Sequence, residues 1–323
     1  MTISALAVEG LTLAVGGVTV VEGVGFEVAA GEVLALVGES GCGKSLTAAA
    51  LMRLLPRGVR QVEGRVRLAG EDITALSERR MGRLRGRRIS MIFQEPQAAL
   101  DPLATVGAQV AEARPGAGAR AAVRRMLEEV GLSDPGRRME QYPFELSGGM
   151  CQRVMIACAL IAGPAVLVAD EPTTALDVTI QAQILALLRR MAAERGTAVV
   201  LITHDMGVVA EIADRVAVMY AGRIAEVAPA GALFAAPRHP YTALLLAAIP
   251  RLDDVPKSRL AVIEGRVPAP SEFGVGCRFV DRCPLGDGRC RAEAPPPMAV
   301  GAGHVSACWH ADAVPGWLAG RRL

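Results

Sequence analysis

The sequence is poor in aromatic residues and has little net charge. Phe, Trp and Tyr make up 3% of its 323 residues, and the formal net charge is only +2. So small a net charge gives no electrostatic argument for a nucleic-acid partner. Hydrophobic residues (51%) and charged residues (21%) have the proportions of a chain with a packed core, which argues against disorder. The length predicts two domains, or one large domain with an appendix.

Long apolar runs and a secretion signal are also missing. The uncharged stretch 154–169 is shorter than a membrane span and is interrupted by Gly163 and Pro164. It predicts a buried helix followed by a buried strand. The start, MTISALAVEG, lacks the basic residues and the apolar core of a signal peptide. We therefore expect a soluble chain in the cytosol that meets a membrane only through a partner.

The order of the patterned segments predicts an α/β fold. Short strand patterns fill the first thirty or so residues, residues 100–160 have mainly helical patterns, and strands and helices alternate from Ala165 onwards. This alternation predicts a largely parallel sheet with helices on both faces. After Tyr241 the chain becomes rich in proline, glycine and cysteine, so we expect a domain boundary near residue 250.

An arginine-rich run, RRMGRLRGRR (79–88), is the main charge cluster. Ser77 and Gly86 fit as the caps of a short helix around it. A solvated helix face is the favoured interpretation, with an acidic or nucleic-acid partner as the alternative.

The segment GESGCGKS (38–45) matches the pattern G-x-x-x-x-G-K-S and lies between an apolar strand and a helix. Glycines in such a loop let backbone N–H groups surround phosphates, and the helix N-terminus adds its positive dipole end. Lys44 should bridge the β- and γ-phosphates, and the Ser45 hydroxyl should complete a Mg²⁺ shell. The predicted nucleotide-binding residues of this loop are Gly38, Ser40, Gly41, Gly43, Lys44 and Ser45.

Two acidic residues follow a second apolar strand in AVLVADEP (165–172). Asp170 ends the strand, where a carboxylate can hold Mg²⁺ through water, and Glu171 can accept a proton from an attacking water. The alternative is an acidic turn after a core strand. Together with the glycine-rich loop, the pair predicts hydrolysis of a Mg-nucleotide.

The segment LSGGMCQR (146–153) resembles the signature of ATP-binding cassette (ABC) ATPases. In the same order as in that family, Gln94 in IFQEP resembles the Q-loop, TALD (174–177) the D-loop, and His204 in LITHD the switch histidine. The resemblance covers residues 3 to about 240. It implies a P-loop ATPase with a RecA-like core over 1–250, a helical subdomain inserted at about 96–160, and a C-terminal extension over 251–323.

The resemblance also implies roles for single residues. Glu171 is the expected base, His204 contacts the γ-phosphate, and Gln94 senses that phosphate and joins Ser45 and Asp170 around Mg²⁺. Signature and D-loop residues contact the ATP held by the opposite subunit, which makes a dimer necessary for catalysis. These residues are Ser147, Gly148, Gly149 and Asp177.

Two positions depart from the common pattern of the family. Val15 stands where family members usually have an aromatic residue that stacks on adenine, so we expect weak stacking on the base. Met150 replaces the more usual glutamine of the signature, a variation found in the peptide-importer branch.

Further segments resemble the ATPases of oligopeptide, dipeptide and nickel importers, among them DEPTTALDVTIQAQIL and HPYTALLLAAIP. The implied protein is a peripheral ATPase on the cytoplasmic face of the bacterial inner membrane. Its implied partners are a second, related ATPase subunit, two permeases and a periplasmic binding protein, with no nucleic acid. Peptides are the expected substrate and nickel is the alternative. A soluble ABC ATPase acting on DNA or ribosomes is less consistent with the sequence, which has neither a long coiled-coil insertion nor a second cassette.

Four of the seven cysteines lie near the end of the chain: Cys277, Cys283, Cys290 and Cys308. A cytosolic location disfavours disulfides. Their spacing is wider than that of the close pairs typical of zinc sites, although His304 and His310 flank the last cysteine. Zinc and four unrelated thiols both remain open. Four soft ligands on wide loops favour a four-iron, four-sulfur cluster, and the resemblance supports it, since some peptide-importer ATPases carry one in this extension.

Overall fold

The computed structural model describes residues 4–174, 176–249 and 262–319. Its strands, in chain order, are β1 (Leu6–Val15), β2 (Val18–Val28), β3 (Val33–Val37), β4 (Val59–Leu68), β5 (Glu71–Asp72), β6 (Ile89–Ile92), β7 (Val166–Asp170), β8 (Ala198–Ile202), β9 (Arg215–Tyr220), β10 (Arg223–Pro229), β11 (Met298–Gly301) and β12 (His304–Ser306).

The α-helices are α1 (Lys44–Leu51), α2 (Glu78–Leu84), α3 (Pro96–Ala99), α4 (Val106–Glu112), α5 (Ala119–Glu129), α6 (Pro135–Arg138), α7 (Gly148–Leu160), α8 (Val178–Arg195), α9 (Met206–Ile212), α10 (Ala230–Ala235), α11 (Pro240–Ala247), α12 (Gly288–Ala292) and α13 (Val314–Ala319). Short 3₁₀ helices cover Pro143–Glu145, Pro270–Glu272 and Val280–Arg282. None of these described helices combines the length and apolarity needed to cross a bilayer.

The main sheet has eight described strands in the order β11-β12-β10-β9-β3-β8-β7-β6. The five strands from β9 to β6 run parallel, and β10, β12 and β11 continue the sheet in antiparallel fashion. Strands β3, β7 and β8 are buried at every residue, as is usual for parallel strands covered on both faces. The predicted α/β class is confirmed.

A second, antiparallel sheet has the order β2-β1-β4-β5. Its buried face carries Leu6, Leu11 and Phe26, which pack in one hydrophobic cluster with Leu34 of β3 and Leu51 of α1. This cluster holds α1, the helix that follows the glycine-rich loop, between the two sheets.

The chain between β6 and β7 forms helices only, from α3 to α7. The apolar faces of α4, α5 and α7 share a hydrophobic cluster that includes Val123, Leu127 and Ile156. Helix α7 and strand β7 confirm the buried helix and buried strand predicted for 154–169. The division of residues 96–160 into a separate subdomain stays a prediction.

The arginine-rich run contains the short helix α2. The Ser77 hydroxyl caps its start by accepting a hydrogen bond from the Arg80 N–H, and Gly86, with φ of 74°, follows its end. Met81 is buried, whereas Arg79, Arg80 and Arg83 are exposed. The predicted short, exposed helix is confirmed, and the choice between a solvated face and a partner-binding face stays a prediction.

The C-terminal segment packs directly on the main sheet. Strand β12 pairs with β10, in the register Glu226 to Ser306 and Val227 to Val305. The Phe279 ring lies 5.0 Å from that of Tyr220 on β9. The expected boundary near residue 250 adjoins residues 250–261, which lie outside the described part of the chain, and it stays a prediction. Residues on its two sides nevertheless share one sheet.

Candidate functional site: a nucleotide-binding edge of the sheet

Four parallel strands end at one edge of the main sheet, and each is followed by a residue predicted to act on nucleotide. The glycine-rich loop follows β3, Gln94 follows β6, Asp170 and Glu171 lie at the end of β7, and His204 follows β8. Because the carboxyl ends of parallel strands meet at the same edge, this topology gathers the predicted residues.

Glycine is required at both ends of the loop between β3 and α1. Gly38 has φ of 152°, and a Cβ atom there would lie 2.1 Å from the Met219 carbonyl oxygen. Gly43, with φ of 104°, precedes the first residue of α1. A side chain at either position would change the loop. Ser40, Gly41 and Ser45 are exposed along it, as phosphate-binding groups need to be.

Lys44 closes the loop through its side chain. Its Nζ donates hydrogen bonds to the carbonyl oxygens of Gly38 at 2.7 Å and Glu39 at 2.9 Å. The side chain is mostly buried, and Nζ also lies 3.6 Å from the Cys42 sulfur. Burial raises the pKa of the Cys42 thiol and keeps it neutral, so Cys42 has no evident chemical role.

Asp170 is the buried carboxylate of the site, with 4% of its surface exposed. Its Oδ1 atom has no hydrogen-bond partner among the described residues. Burial raises its pKa, a hydrogen bond from Ser45 lowers it, and the charge of Glu171 raises it again, with a net increase. A buried carboxylate oxygen without a partner is costly unless a cation balances it. Asp170 and Ser45 therefore fit the predicted Mg²⁺ site.

Glu171 is held by side chains from three other segments. Its Oε1 lies 3.0 Å from Nδ1 of His204, while Oε2 accepts hydrogen bonds from the Thr174 hydroxyl at 3.0 Å and Nε2 of Gln94 at 3.4 Å. Burial raises the pKa of Glu171, but the hydrogen bonds from His204 and Thr174 bring it below its ordinary value. The carboxylate is thus ionised and able to accept a proton.

The backbone of Glu171 is strained. Its φ of 49° is in the left-handed region, which non-glycine residues adopt at a cost. Its N–H donates to the Ile202 carbonyl oxygen at 2.9 Å, which holds this turn against β8. The turn directs the side chain towards His204.

The signature and D-loop residues lie apart from the glycine-rich loop of their own chain. Ser147 is exposed and caps α7 by accepting a hydrogen bond from the Met150 N–H, and Gly148 and Gly149 form the first turn of that helix. Asp177, also exposed, caps α8 through the Ile180 N–H. Among the contacts of the described residues, none joins these groups to the glycine-rich loop. Ala175 of the D-loop lies outside the described residues.

Reasoning from sequence missed several supporting residues. Thr174 holds Glu171 as described above, and the buried Gln152 donates from Nε2 to the Pro172 carbonyl oxygen at 2.7 Å. Gln152 carries a detectable signal, because it is a polar side chain within the apolar pattern of α7. Thr174 carries none beyond its place in the D-loop motif.

The four C-terminal cysteines line one small cavity, together with His239, Trp309 and His310. All seven cysteines of the chain are free thiols. Burial raises the pKa of Cys283 to about 11 and that of Cys308 to about 12. Of the two histidines that flank Cys308 in the sequence, His310 lines this cavity and His304 does not. His304 lies on β12, where its Nε2 is 2.7 Å from the buried Glu226 carboxylate.

A tighter group of metal-binding atoms lies at the rim of the same cavity. Asp287, Cys290 and His310 each offer one ligand atom, and these three atoms lie within 4.8 Å of one another. Among the described residues, no other group of three or more such atoms is this close together. This group includes only one of the four thiols. The other three sulfur atoms are spread around the cavity.

Comparison with known proteins identifies the two parts of the chain. A family model described as "ABC transporter" matches residues 21–174, and one described as "Oligopeptide/dipeptide transporter, C-terminal region" matches residues 225–290. The second match begins on β10, before the boundary expected near residue 250. This agrees with the pairing of β10 and β12 in one sheet.

Similar proteins match almost the whole chain. A Sinorhizobium fredii protein named "Probable peptide ABC transporter ATP-binding protein y4tR" is 50% identical over 313 residues, covering 95% of this chain and 92% of that protein. The dipeptide transport ATP-binding protein DppD of Bacillus subtilis is 47% identical over 304 residues, covering 92% of this chain and 90% of that protein.

Solved structures agree with these matches. The dimeric post-hydrolysis structure of the ATP-binding cassette MJ0796, bound to ADP and Pi, has a TM-score of 0.64 and 26% identity. The match covers 70% of this chain and 98% of that one. The gathered residues of the sheet edge and these similarities lead to one assignment. The chain belongs to the ATP-hydrolysing, ATP-binding proteins of the ABC transporter family that carry the oligopeptide/dipeptide transporter C-terminal region.

Proposed function

We propose that this protein is the ATPase subunit of a bacterial inner-membrane importer for dipeptides and oligopeptides. The observation that carries the proposal is the oligopeptide/dipeptide C-terminal region at residues 225–290, joined to a complete set of ATP-hydrolysing residues. The names of its relatives refer to peptide and dipeptide transport. The proposed location is the cytoplasmic face of the membrane, as a peripheral subunit.

For hydrolysis we assign a role to each residue at the sheet edge. The backbone N–H groups of the glycine-rich loop bind the phosphates, and Lys44 leaves the carbonyl oxygens of Gly38 and Glu39 to neutralise phosphate charge. Ser45 and Asp170 would hold Mg²⁺, with Gln94 beside them. When bound, the ion would supply charge neutralisation at the β- and γ-phosphates.

Glu171 takes the role of general base. Its ionised carboxylate accepts a proton from the attacking water, and its hydrogen bonds to Thr174 and Gln94 orient it for this step. His204 lies against the same carboxylate, and we assign to it the contact with the γ-phosphate. The pairing with His204 also keeps Glu171 ionised before water arrives.

The complete site is proposed to need a second ATPase subunit. Ser147, Gly148, Gly149 and Asp177 lie on exposed helix starts that have no contact with the glycine-rich loop of their own chain among the described residues. They are therefore assigned to the ATP held by the partner, and we infer a heterodimer of two related ATPases. Two permeases and a periplasmic binding protein complete the proposed importer, and no nucleic acid takes part.

Uptake measurements test the transport assignment. Deleting the gene should abolish uptake of labelled di- and tripeptides, and expression of the intact chain should restore it. Expression of the Lys44→Ala variant, which lacks the phosphate-binding amine, serves as the negative control. Unchanged peptide uptake, with loss of nickel uptake instead, would replace the peptide assignment by a nickel importer.

The four C-terminal thiols are proposed to hold a four-iron, four-sulfur cluster. The support is their convergence on one cavity. Burial raises the pKa values of these thiols, so each would have to lose its proton on binding a cationic centre. A tetrahedral zinc site with Zn–S bonds of about 2.3 Å would bring the thiols to about 3.8 Å from one another. Among the Sγ atoms of the cysteines at positions 277, 283, 290 and 308, no three lie this close to one another. The cluster would supply a cross-link and a one-electron centre, and hydrolysis needs neither.

Anaerobic purification tests the cluster. The protein should be brown and contain about four iron and four sulfide ions per chain, and the Cys283→Ala variant should lose both. The matched control is Cys158→Ala, which removes a thiol distant in sequence from the other four and should leave iron content unchanged. Iron-free protein that contains zinc would instead favour a zinc site built on Asp287, Cys290 and His310.

A further inference from the structure

An ion pair joins the C-terminal segment to the phosphate-binding loop. Glu39, the second residue of that loop, accepts a hydrogen bond at each carboxylate oxygen from the guanidinium group of Arg282, at 2.6 and 3.0 Å. Arg282 ends the 3₁₀ helix Val280–Arg282 and directly precedes Cys283. Its side chain is 6% exposed and that of Glu39 is 28% exposed, so the guanidinium group is shielded from solvent while the carboxylate is partly open to it. Bidentate pairs of this kind restrict both position and orientation.

The backbone of Glu39 is held at the same time. Its N–H donates to the Tyr241 hydroxyl at 2.8 Å, and its carbonyl oxygen accepts from Lys44 Nζ at 2.9 Å. Tyr241 is fully buried and its ring packs against Tyr220 and Phe279, with centroids 4.7 and 5.4 Å away. Two of these supports, the contacts of Tyr241 with the Glu39 N–H and of Arg282 with its carboxylate, come from residues that follow the last strand of the parallel core and do not depend on the position of Lys44.

Arg282 is itself held in place independently of Glu39. Its guanidinium group also donates to the carbonyl oxygens of Ile263 at 3.0 Å and Glu264 at 2.8 Å, and to the Tyr220 hydroxyl at 3.3 Å. These contacts fix the guanidinium group before any nucleotide binds. It can therefore act as a rigid support for the loop.

We propose that Arg282 is a positioning residue of the ATPase, which holds the phosphate-binding loop in its nucleotide-binding conformation through Glu39. The loop binds phosphate with several backbone N–H groups at once. If these groups are not already arranged in the free protein, arranging them on binding costs conformational entropy. A loop that is ordered in the free protein avoids this entropic cost and therefore binds nucleotide more strongly. The C-terminal segment thereby becomes part of the ATP site, a role that extends beyond the transport function proposed above.

The test uses the full chain, purified anaerobically, and measures equilibrium binding of a non-hydrolysable ATP analogue together with thermal unfolding. The variants are Arg282→Met, which keeps the apolar stem, Glu39→Gln, and the double variant. Each single variant should weaken analogue binding by roughly five- to tenfold, a loss in the range measured for coupled pairs. The double variant should bind as weakly as the single variants, because all three lose the same support.

Stability separates positioning from a purely structural role. Glu39→Gln leaves the shielded Arg282 guanidinium group without a counter-charge, and Arg282→Met leaves the partly exposed Glu39 carboxylate without its partner. The double variant removes both charges, so its unfolding temperature should recover. Weak binding in a double variant of recovered stability is the expected result. Recovery of both stability and binding would overturn the proposal, as would wild-type binding in Glu39→Gln. If Arg282→Met does not fold, Glu39→Gln alone still decides the question.

Arg291→Met provides the matched control. Arg291 lies in the same segment and pairs with Asp281 at 2.7 Å, but the two side chains are 65% and 80% exposed and the pair has no contact with the loop. This variant should bind the analogue as the wild type does. If Arg291→Met lost as much affinity for the analogue as Arg282→Met does, removal of any positive charge from the C-terminal segment would weaken nucleotide binding equally. The proposal would then fail.

Discussion

The Glu171 carboxylate and the His204 ring lie 3.0 Å apart, although the two residues follow different strands of the sheet. Strands β7 and β8 are adjacent and parallel, with Asp170 opposite Ile202 in register. This register brings the chain that follows β7 close to the chain that follows β8. Glu171, directly after β7, has a left-handed backbone at the point where its side chain meets His204, two residues after β8.

Replacement of Glu171 by glutamine should abolish ATP turnover and leave ATP binding intact. The amide has nearly the same shape but cannot accept a proton, and loss of a general base typically costs about 10²–10⁴ in rate. Because ATP is then bound but not consumed, a nucleotide-bound dimer should accumulate with the partner ATPase. Turnover assays and size-exclusion chromatography with ATP measure the two effects. Turnover at the wild-type rate would remove Glu171 from the role of base.

Introduction of tyrosine at position 15 should tighten ATP binding severalfold. Val15 is 40% exposed at the end of β1, where it offers no aromatic face to a base. Stacking on aromatic side chains contributes roughly 1–3 kcal/mol per base in nucleic-acid sites. Val62→Tyr, at an exposed position on β4, is the matched control and should change nothing. If Val15→Tyr has no effect on affinity, another residue contacts adenine.

The convergence of the candidate site residues could be predicted from sequence because they follow short apolar strands and lie within local motifs. Gln94, Asp170 and His204 each follow or end a buried strand, and parallel pairing then brings them to one edge. Local patterns of this kind need no knowledge of distant contacts.

The contacts of the C-terminal segment could not be predicted in the same way. Arg282 and Glu39 are separated by 243 residues, and no periodicity or motif relates an arginine of one segment to a glutamate of the other. The same limit applies to His304. In sequence it lies beside Cys308, but strand pairing turns its side chain to Glu226 on β10.

Stability should decrease at low pH through Glu22 on β2. Burial raises the pKa of Glu22, but Arg223 and Arg278 lower it more, so the folded value lies below the ordinary 4.5. A lowered folded pKa contributes stability above about pH 4.5, and this contribution is lost as the pH falls through the folded pKa. Glu22→Gln should therefore be less stable than the wild type near neutral pH, with a difference that shrinks in acid.

Urea unfolding at several pH values measures this difference. Glu9→Gln is the control, since Glu9 and its partner Arg67 are 51% and 34% exposed and exposed pairs contribute at most about 1 kcal/mol. A difference between wild type and Glu22→Gln that stays constant from neutral pH to below pH 4.5 would show that the two ion pairs of Glu22 do not stabilise the fold.

Aspartate in place of Ser147 should separate the structural role of this residue from its proposed contact with the partner's ATP. Aspartate caps helices as well as serine does, so α7 should keep its stability. Its negative charge would face the γ-phosphate held by the partner subunit, and hydrolysis of that ATP should be lost while binding to the chain's own loop remains. Thr105→Asp, which makes the same change at the cap of α4, should leave turnover unchanged. Normal turnover of the Ser147→Asp variant with its partner ATPase would contradict the composite site.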